Sequence, residues 1–93
     1  MTRIDELIAD RSEHDSEFAH AYSQEDERLQ MAVALTELRQ AEGLTQRQLA
    51  RLAGKPQSTI ARIENGNMNA SLKVLSEIAA AVGRKLEIRF VGV

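Results

Sequence analysis

The side chains best suited to chemistry lie in residues 45–66, TQRQLARLAGKPQSTIARIENG, which contain four basic residues and one acid, Glu64. A Gln side chain can pair bidentately with adenine, and an Arg side chain can do so with guanine. Lys and Arg also bind the phosphate backbone through contacts that weaken as salt is added. The residue types of this stretch therefore indicate binding of double-stranded DNA and not an enzymatic reaction.

The spacing of small and turn-forming residues in this stretch predicts two short helices, 46–53 and 56–65, joined by a tight turn. Thr45 can cap the first helix, and Gly54 permits the left-handed backbone that the turn needs. Pro56 suits the first turn of the second helix, where an N–H would have no partner. Two short helices joined in this way form a helix-turn-helix, whose second helix enters the major groove of DNA.

The apolar positions of the second helix decide which of its side chains face outward. We expect Ile60 and Ile63 to point inward and pack on the first helix, where Ala50 is small enough for a close crossing. The candidates for base reading are then the outward-facing side chains of Gln57, Ser58 and Arg62. The candidates for phosphate contacts are Gln46, at a helix start, and the basic residues Arg47, Arg51 and Lys55.

The flanking sequence predicts further helices. Apolar residues at helical spacing indicate short helices in 1–10 and 16–22, a longer helix at about 23–42, and a last helix at about 71–82. The side chains expected to face inward from the last helix are Leu72, Leu75, Ile78, Ala79 and Val82. The predicted fold class is therefore all-α, with five to six helices and a short C-terminal β-strand.

That strand is predicted in residues 85–91, KLEIRFV, where Leu86, Ile88 and Phe90 alternate with charged residues. A lone strand leaves backbone donors and acceptors unpaired. We therefore expect it to pair with another chain, either a second copy in a homodimer or the sheet of a different protein. A homodimer would also place two recognition helices ~34 Å apart, as needed to read a palindrome. The alternative is a frayed tail packed loosely on the last helix.

Charge is unevenly distributed along the chain, although its formal net charge is only −2. Residues 1–30 contain three Arg and nine Asp or Glu, whereas residues 31–93 contain nine Lys or Arg and five Glu. Such asymmetry indicates two different partners, with DNA as the partner of the basic part. The alternative is that both regions are merely solvated faces.

The remaining polar residues do not predict an enzyme, a metal site or a cofactor. His14 and His20 are too far apart in sequence to share one helix face at i, i+4, and the chain has no Cys. Ser58 and Thr59 have no His or Lys beside them to activate a hydroxyl. No apolar run suits a signal peptide or reaches the ~20 residues of a membrane span. We therefore expect a cytoplasmic protein with no catalytic residue, no metal or cofactor, no membrane contact and no small-molecule substrate.

Residues 29–83, with the motifs LTQRQLARLAG and STIARIENG, resemble the Xre/Cro family of helix-turn-helix domains. The resemblance implies a lambda-repressor-like core. It further implies phosphate contacts by Gln46 and Thr59, base reading by Gln57, Ser58 and Arg62, and an ion pair between Arg39 and Glu64. The single acid of the motif would then have a structural role.

The whole chain resembles HigA-type antitoxins of bacterial toxin–antitoxin systems, through DSEFAHAYSQEDERLQMAVALTELRQAEGLTQ and the ending AVGRKLEIRF. This resemblance implies a RelE-like ribonuclease toxin as partner, which the antitoxin neutralises while it represses its own operon. The predicted organisation is an acidic arm (1–23), the helix-turn-helix domain (24–84) and the strand (85–93). The candidates for toxin contact are Ile4, Leu7, Ile8, Phe18 and Tyr22, and those for dimer contact are Leu86, Ile88 and Phe90.

Two alternative functions remain open from the sequence. One is a free-standing Xre-type transcriptional repressor without a toxin, in which the acidic arm only solubilises the chain. The other is a protein-interaction module whose helix-turn-helix does not bind DNA. Growth rescue from a toxin would exclude the first alternative, and preference for one duplex sequence over a scrambled one would exclude the second.

Overall fold

The computed structural model describes the backbone of residues 16–92 and the side chains of residues 26–92. Within that range it contains four helices and no strand: α1 (Ser16–Ala41), α2 (Gln46–Ala53), α3 (Gln57–Glu64) and α4 (Leu72–Ala81). The all-α class is confirmed. The predicted helix in residues 1–10 lies outside the described residues, so the expected total of five to six helices is not confirmed.

The long helix α1 replaces two predicted helices, and the prediction of a break near Ser23 was wrong. Residues 16–41 contain no Gly and no Pro, so nothing in this stretch prevents the backbone hydrogen bonds from continuing. Ser23 is tolerated inside the helix instead of starting a new one. The acids that follow it therefore lie within α1, away from a helix N-terminus. Helix α1 also crosses the predicted domain boundary between residues 23 and 24.

Local signals in the sequence account for both ends of α2. The Thr45 hydroxyl accepts a hydrogen bond from the Gln48 N–H (3.1 Å), and the Gln48 side chain accepts one from the Thr45 N–H (2.9 Å). This reciprocal pair satisfies two N–H groups that the helix itself leaves unpaired. Gly54 ends the helix with φ +64°, as predicted for the turn. Pro56 then precedes α3 in an extended conformation, so this helix begins one residue later than predicted.

The core forms where α3 packs on α1 and α2, and where α2 packs on α4. The largest fully buried side chains are Leu49, Ile60, Ile63 and Ile78. The predicted inward orientation of the two α3 isoleucines is thus confirmed. Leu72 was wrongly predicted to face inward: it is 56% exposed, because it occupies the first position of α4 at the margin of the apolar stripe.

The C-terminal residues 83–92 form neither helix nor strand. The strand predicted at 85–91 is not confirmed: within the described chain, no other strand is present to supply the hydrogen bonds that it needs. Of its apolar residues, Leu86 is half-buried while Ile88 and Phe90 are exposed. No helix of the described part is long and apolar enough to cross a membrane.

Candidate nucleic-acid interface

The outer face of α3 carries the side chains predicted to read bases. Gln57, Ser58 and Arg62 are all exposed, while the isoleucines on the opposite side of the helix are buried. Thr59, predicted to face the phosphate backbone, is half-buried. The first turn of α3 contains no acid, so the partial positive charge of the helix N-terminus is not neutralised there. This end of α3 can approach a negatively charged duplex.

The predicted partners Arg39 and Glu64 form an ion pair that joins α1 to the end of α3. Arg39 Nε lies 2.8 Å from Glu64 Oε2, and Arg39 Nη2 lies 3.0 Å from Glu64 Oε1. Arg39 Nη1 also donates to the Leu44 carbonyl oxygen at 3.0 Å. Such a two-pronged contact fixes the angle between the two groups as well as their distance. The pair therefore holds α3 and the start of α2 against α1.

Glu64 is a nearly buried acceptor, with only 5% of its side chain exposed. Besides the Arg39 contacts, its Oε1 accepts from Thr36 Oγ1 at 3.1 Å and from Gln46 Nε2 at 3.3 Å. Burial alone would raise the pKa of Glu64, but the hydrogen bonds and the Arg39 charge outweigh it, and the pKa is lowered. The hydrogen bond to Glu64 also raises the pKa of Arg39. Both groups are therefore charged at neutral pH.

The candidate phosphate contacts differ in how their side chains are held. The Gln46 amide is bound to Glu64, and Arg47 Nε donates to Gln57 Oε1 at 3.5 Å. Arg51 is exposed on α2. Lys55, in contrast, points towards α4, where its Nζ lies 3.0 Å from Glu77 Oε2.

A shallow depression of about 520 Å³ lies between the starts of α2 and α3. It is lined by two candidates for phosphate contact, Gln46 and Arg47, and by one candidate for base reading, Gln57. Arg39 of the ion pair and Thr45, which caps α2, complete the lining. The structure thus brings three of the predicted DNA-contact residues together from two separate helices. Ser58 and Arg62 lie further along the exposed face of α3 and do not line the depression.

Two contributors to this region were missed by the sequence reasoning. Thr36 donates to the Glu64 carboxylate, and Glu77 binds Lys55, which lowers the pKa of Glu77 mainly through that hydrogen bond. Both contacts join residues more than twenty positions apart, so no local pattern could have indicated them. The described residues contain no group of three or more His, Cys, Asp or Glu side chains placed to hold a metal ion.

The other candidate residues lie away from this interface. Ile4, Leu7 and Ile8 lie outside the described residues. Phe18 and Tyr22 lie in α1, where the structure describes their backbone but not their side chains. Ile88 is 59% exposed and Phe90 is fully exposed, and no backbone hydrogen bond is found for residues 85–92 within the described chain.

A capped helix, a left-handed glycine turn and a second helix anchored by two buried isoleucines define a helix-turn-helix domain. The chain belongs to the helix-turn-helix family HTH_3, whose family model matches residues 35–88. It is also 32% identical over 90 residues to an "Uncharacterized HTH-type transcriptional regulator" of Haemophilus influenzae, covering 95% of this chain and 92% of that protein. No solved structure gives a significant match. The Xre-type helix-turn-helix expected from the sequence is confirmed, whereas the HigA-type resemblance stays a prediction.

Proposed function

We propose that this protein is a sequence-specific DNA-binding transcription regulator, with α3 as its recognition helix. The observation that carries the proposal is the orientation of α3: Ile60 and Ile63 are fully buried, and Gln57, Ser58 and Arg62 are exposed on the other side. Membership of the HTH_3 family and similarity to a protein named as an HTH-type transcriptional regulator support it.

The side chains divide into two roles in this proposal. Gln57, Ser58 and Arg62 contact base edges in the major groove and supply sequence preference. Arg47 and Arg51 on α2 bind phosphates and supply the affinity that does not depend on sequence. The start of α2 adds backbone N–H groups, and Gln46 adds the N–H of its Nε2 group that does not bind Glu64.

These two roles predict different effects for two arginine substitutions. Arg62→Ala should relax the preference at one base pair. It removes a side-chain contact that discriminates against the wrong base by about 1–3 kcal/mol of binding free energy. Arg51→Ala should weaken binding to all sequences alike. It should also reduce by about one the magnitude of the salt slope, which is the slope of log affinity against log salt concentration. Titrations of a selected duplex at several salt concentrations, with each base pair substituted in turn, measure both effects.

The unmodified protein provides the control for this experiment. A selection from random duplexes should first yield a preferred sequence. Equal affinity of the wild type for that duplex and for a scrambled one would contradict the proposal and favour a protein-interaction module.

We further propose that the regulator is a homodimer that binds a palindromic operator, with residues 85–91 in the contact between copies. The exposure of Ile88 and Phe90 and the unpaired backbone around them support this placement. Exposed apolar side chains next to unpaired backbone groups are typical of a strand that pairs with another chain.

Ile88→Asp should therefore yield monomers and weaken operator binding, because one recognition helix alone contacts only one half-site. Arg89→Asp introduces the same side chain at the neighbouring position, which faces the opposite side of an alternating strand, and should stay dimeric. Light scattering measures the mass of each variant. A dimeric Ile88→Asp variant would place the contact elsewhere.

A finer proposal is that the regulator is an antitoxin that neutralises a RelE-like ribonuclease toxin and represses its own operon. It is supported by the HigA-type resemblance and by the acidic character of residues 1–30. An enzyme that binds RNA presents a basic surface, which an acidic segment can complement. The apolar candidates in the arm would provide the buried anchors that charge alone does not supply.

Two truncations test this finer proposal by growth rescue when the protein is co-expressed with the product of the adjacent reading frame. Removal of residues 1–22 eliminates all five toxin-contact candidates and should abolish rescue. Removal of residues 1–15 leaves all four described helices intact and should weaken rescue through the loss of Ile4, Leu7 and Ile8.

Operator binding by both truncated proteins serves as the control for folding and should be largely retained. If the 1–22 truncation rescues growth as well as the full chain does, the arm does not contact the toxin. If the full chain gives no rescue, the free-standing repressor is favoured.

A further inference from the structure

The two glutamines at the depression between α2 and α3 are held by opposite ends of their amides. Gln46 is held by its amino end, since its Nε2 donates to Glu64 at 3.3 Å. Gln57 is held by its carbonyl end, since its Oε1 accepts from Arg47 Nε at 3.5 Å. Among the described residues, the Gln57 side chain has a hydrogen bond to Arg47 and to no other side chain, so Arg47 is the neighbour that orients it.

The end of the Gln57 amide that faces DNA decides what it can recognise. A carbonyl oxygen held towards α2 leaves the Nε2 amino group, a pair of donors, directed away from α2. In the major groove, guanine, adenine and thymine each present an acceptor, whereas cytosine presents only its amino donor. A Gln57 side chain in this orientation therefore binds a base with an acceptor and disfavours cytosine at the position it contacts.

We propose that Arg47 is a positioning residue that sets the base preference of the protein by orienting the Gln57 amide. The inference rests on the proposed function and adds to it a role for Arg47 beyond phosphate attraction. At 3.5 Å the contact is long for a hydrogen bond. Both side chains are exposed, so its effect is on the orientation of the amide and not on the stability of the fold.

Arg47→Lys separates orientation from charge. Lysine keeps the positive charge that attracts phosphate, but it has no donor at the position of Arg Nε on the side-chain stem. The matched control is Arg51→Lys, which makes the same replacement at another exposed arginine of α2. Gln57→Ala identifies which base pair of the selected duplex is read by Gln57.

The experiment measures affinities for a set of duplexes in which each base pair of the selected sequence is replaced in turn. We expect Gln57→Ala to flatten the preference at one position. Arg47→Lys should reduce the discrimination against cytosine at that same position by about fivefold. For Arg47→Lys, the salt slope and the melting temperature should remain those of the wild type. Arg51→Lys can change the affinity for all duplexes alike, since Arg51 is assigned to phosphate, but it should leave the discrimination between bases unchanged. Arg47→Lys should have no further effect on discrimination in the Gln57→Ala background, because the two residues act as one unit.

Two results would overturn the inference while leaving DNA binding in place. The first is that Arg47→Lys discriminates against cytosine as well as the wild type does. The second is that Arg47→Lys loses preference at a base pair different from the one affected by Gln57→Ala. Failure of the proposed function gives a different result, since the wild type itself would then show no preference among the duplexes.

Discussion

Replacing Ile60 with alanine should lower the free energy of unfolding by about 3 kcal/mol, which corresponds to a fall in melting temperature of about 15 °C for a domain of this size. Ile60 is fully buried at the centre of the core, where α3 meets α1 and α2. The substitution removes three carbon atoms and leaves a cavity that the neighbouring helices cannot fill completely. Chemical denaturation followed by circular dichroism measures the loss.

Leu52→Ala is the matched control for this substitution. Leu52 belongs to α2 but is 56% exposed, so its truncation should change the free energy of unfolding by no more than about 0.5 kcal/mol. Ile60→Ala should also weaken operator binding at temperatures near its melting point, because α3 loses its anchor. A loss of stability as small as that of Leu52→Ala would contradict the burial of Ile60, and with it the outward direction of Gln57.

Arg39→Met should destabilise the protein by about 2 kcal/mol at neutral pH, because it leaves the Glu64 carboxylate buried without its cation. The estimate lies below the usual range for fully buried pairs, since 18% of the Arg39 side chain is exposed. Methionine keeps most of the aliphatic stem, so the loss reports the charge and its hydrogen bonds. Arg84→Met is the control, because the pair between Arg84 and Glu42 is largely exposed and should contribute less than about 1 kcal/mol.

The same pair predicts how stability depends on pH. The pKa of Glu64 is lowered on folding from its ordinary value of 4.5. The stabilisation from this carboxylate is therefore fully present above pH 4.5 and is lost as the pH falls through the folded-state pKa. The difference between the wild type and Arg39→Met should be largest at neutral pH and should shrink on acidification. A difference that stays constant between pH 7 and pH 3 would show that the pair contributes through packing alone.

The sequence was sufficient to predict the helix-turn-helix because its determinants are local. Thr45 and Gln48 lie three residues apart and cap α2. Gly54 is the residue type that adopts the positive φ of the turn without strain. The three-residue interval between Ile60 and Ile63 places both side chains on one face of a helix. Signals of this kind need no knowledge of the rest of the chain.

The sequence was less informative where the deciding contacts are distant in the chain or come from outside it. The break predicted near Ser23 was a local error, because a helix start signal at Ser23 does not interrupt a helix as Gly or Pro would. Lys55 was assigned to DNA from its charge and position, and its contact with Glu77 depends on how α4 packs against α2. The strand at 85–91 requires hydrogen bonds from a partner, so a pattern within one chain predicts its tendency and not its formation.

Because α1 is unbroken, it fixes the rotation of its first turns relative to its last turns. Its 26 residues span about 39 Å, and each residue turns the helix by about 100°. A single residue inserted near Ser23 would rotate the preceding part of α1 by that angle around the helix axis, relative to the part of α1 that packs on α3. Seven inserted residues would complete almost two full turns and restore the original direction about 10 Å further out. Insertions and deletions in the first half of α1 therefore change the direction in which its first turns face, as well as the length of the helix.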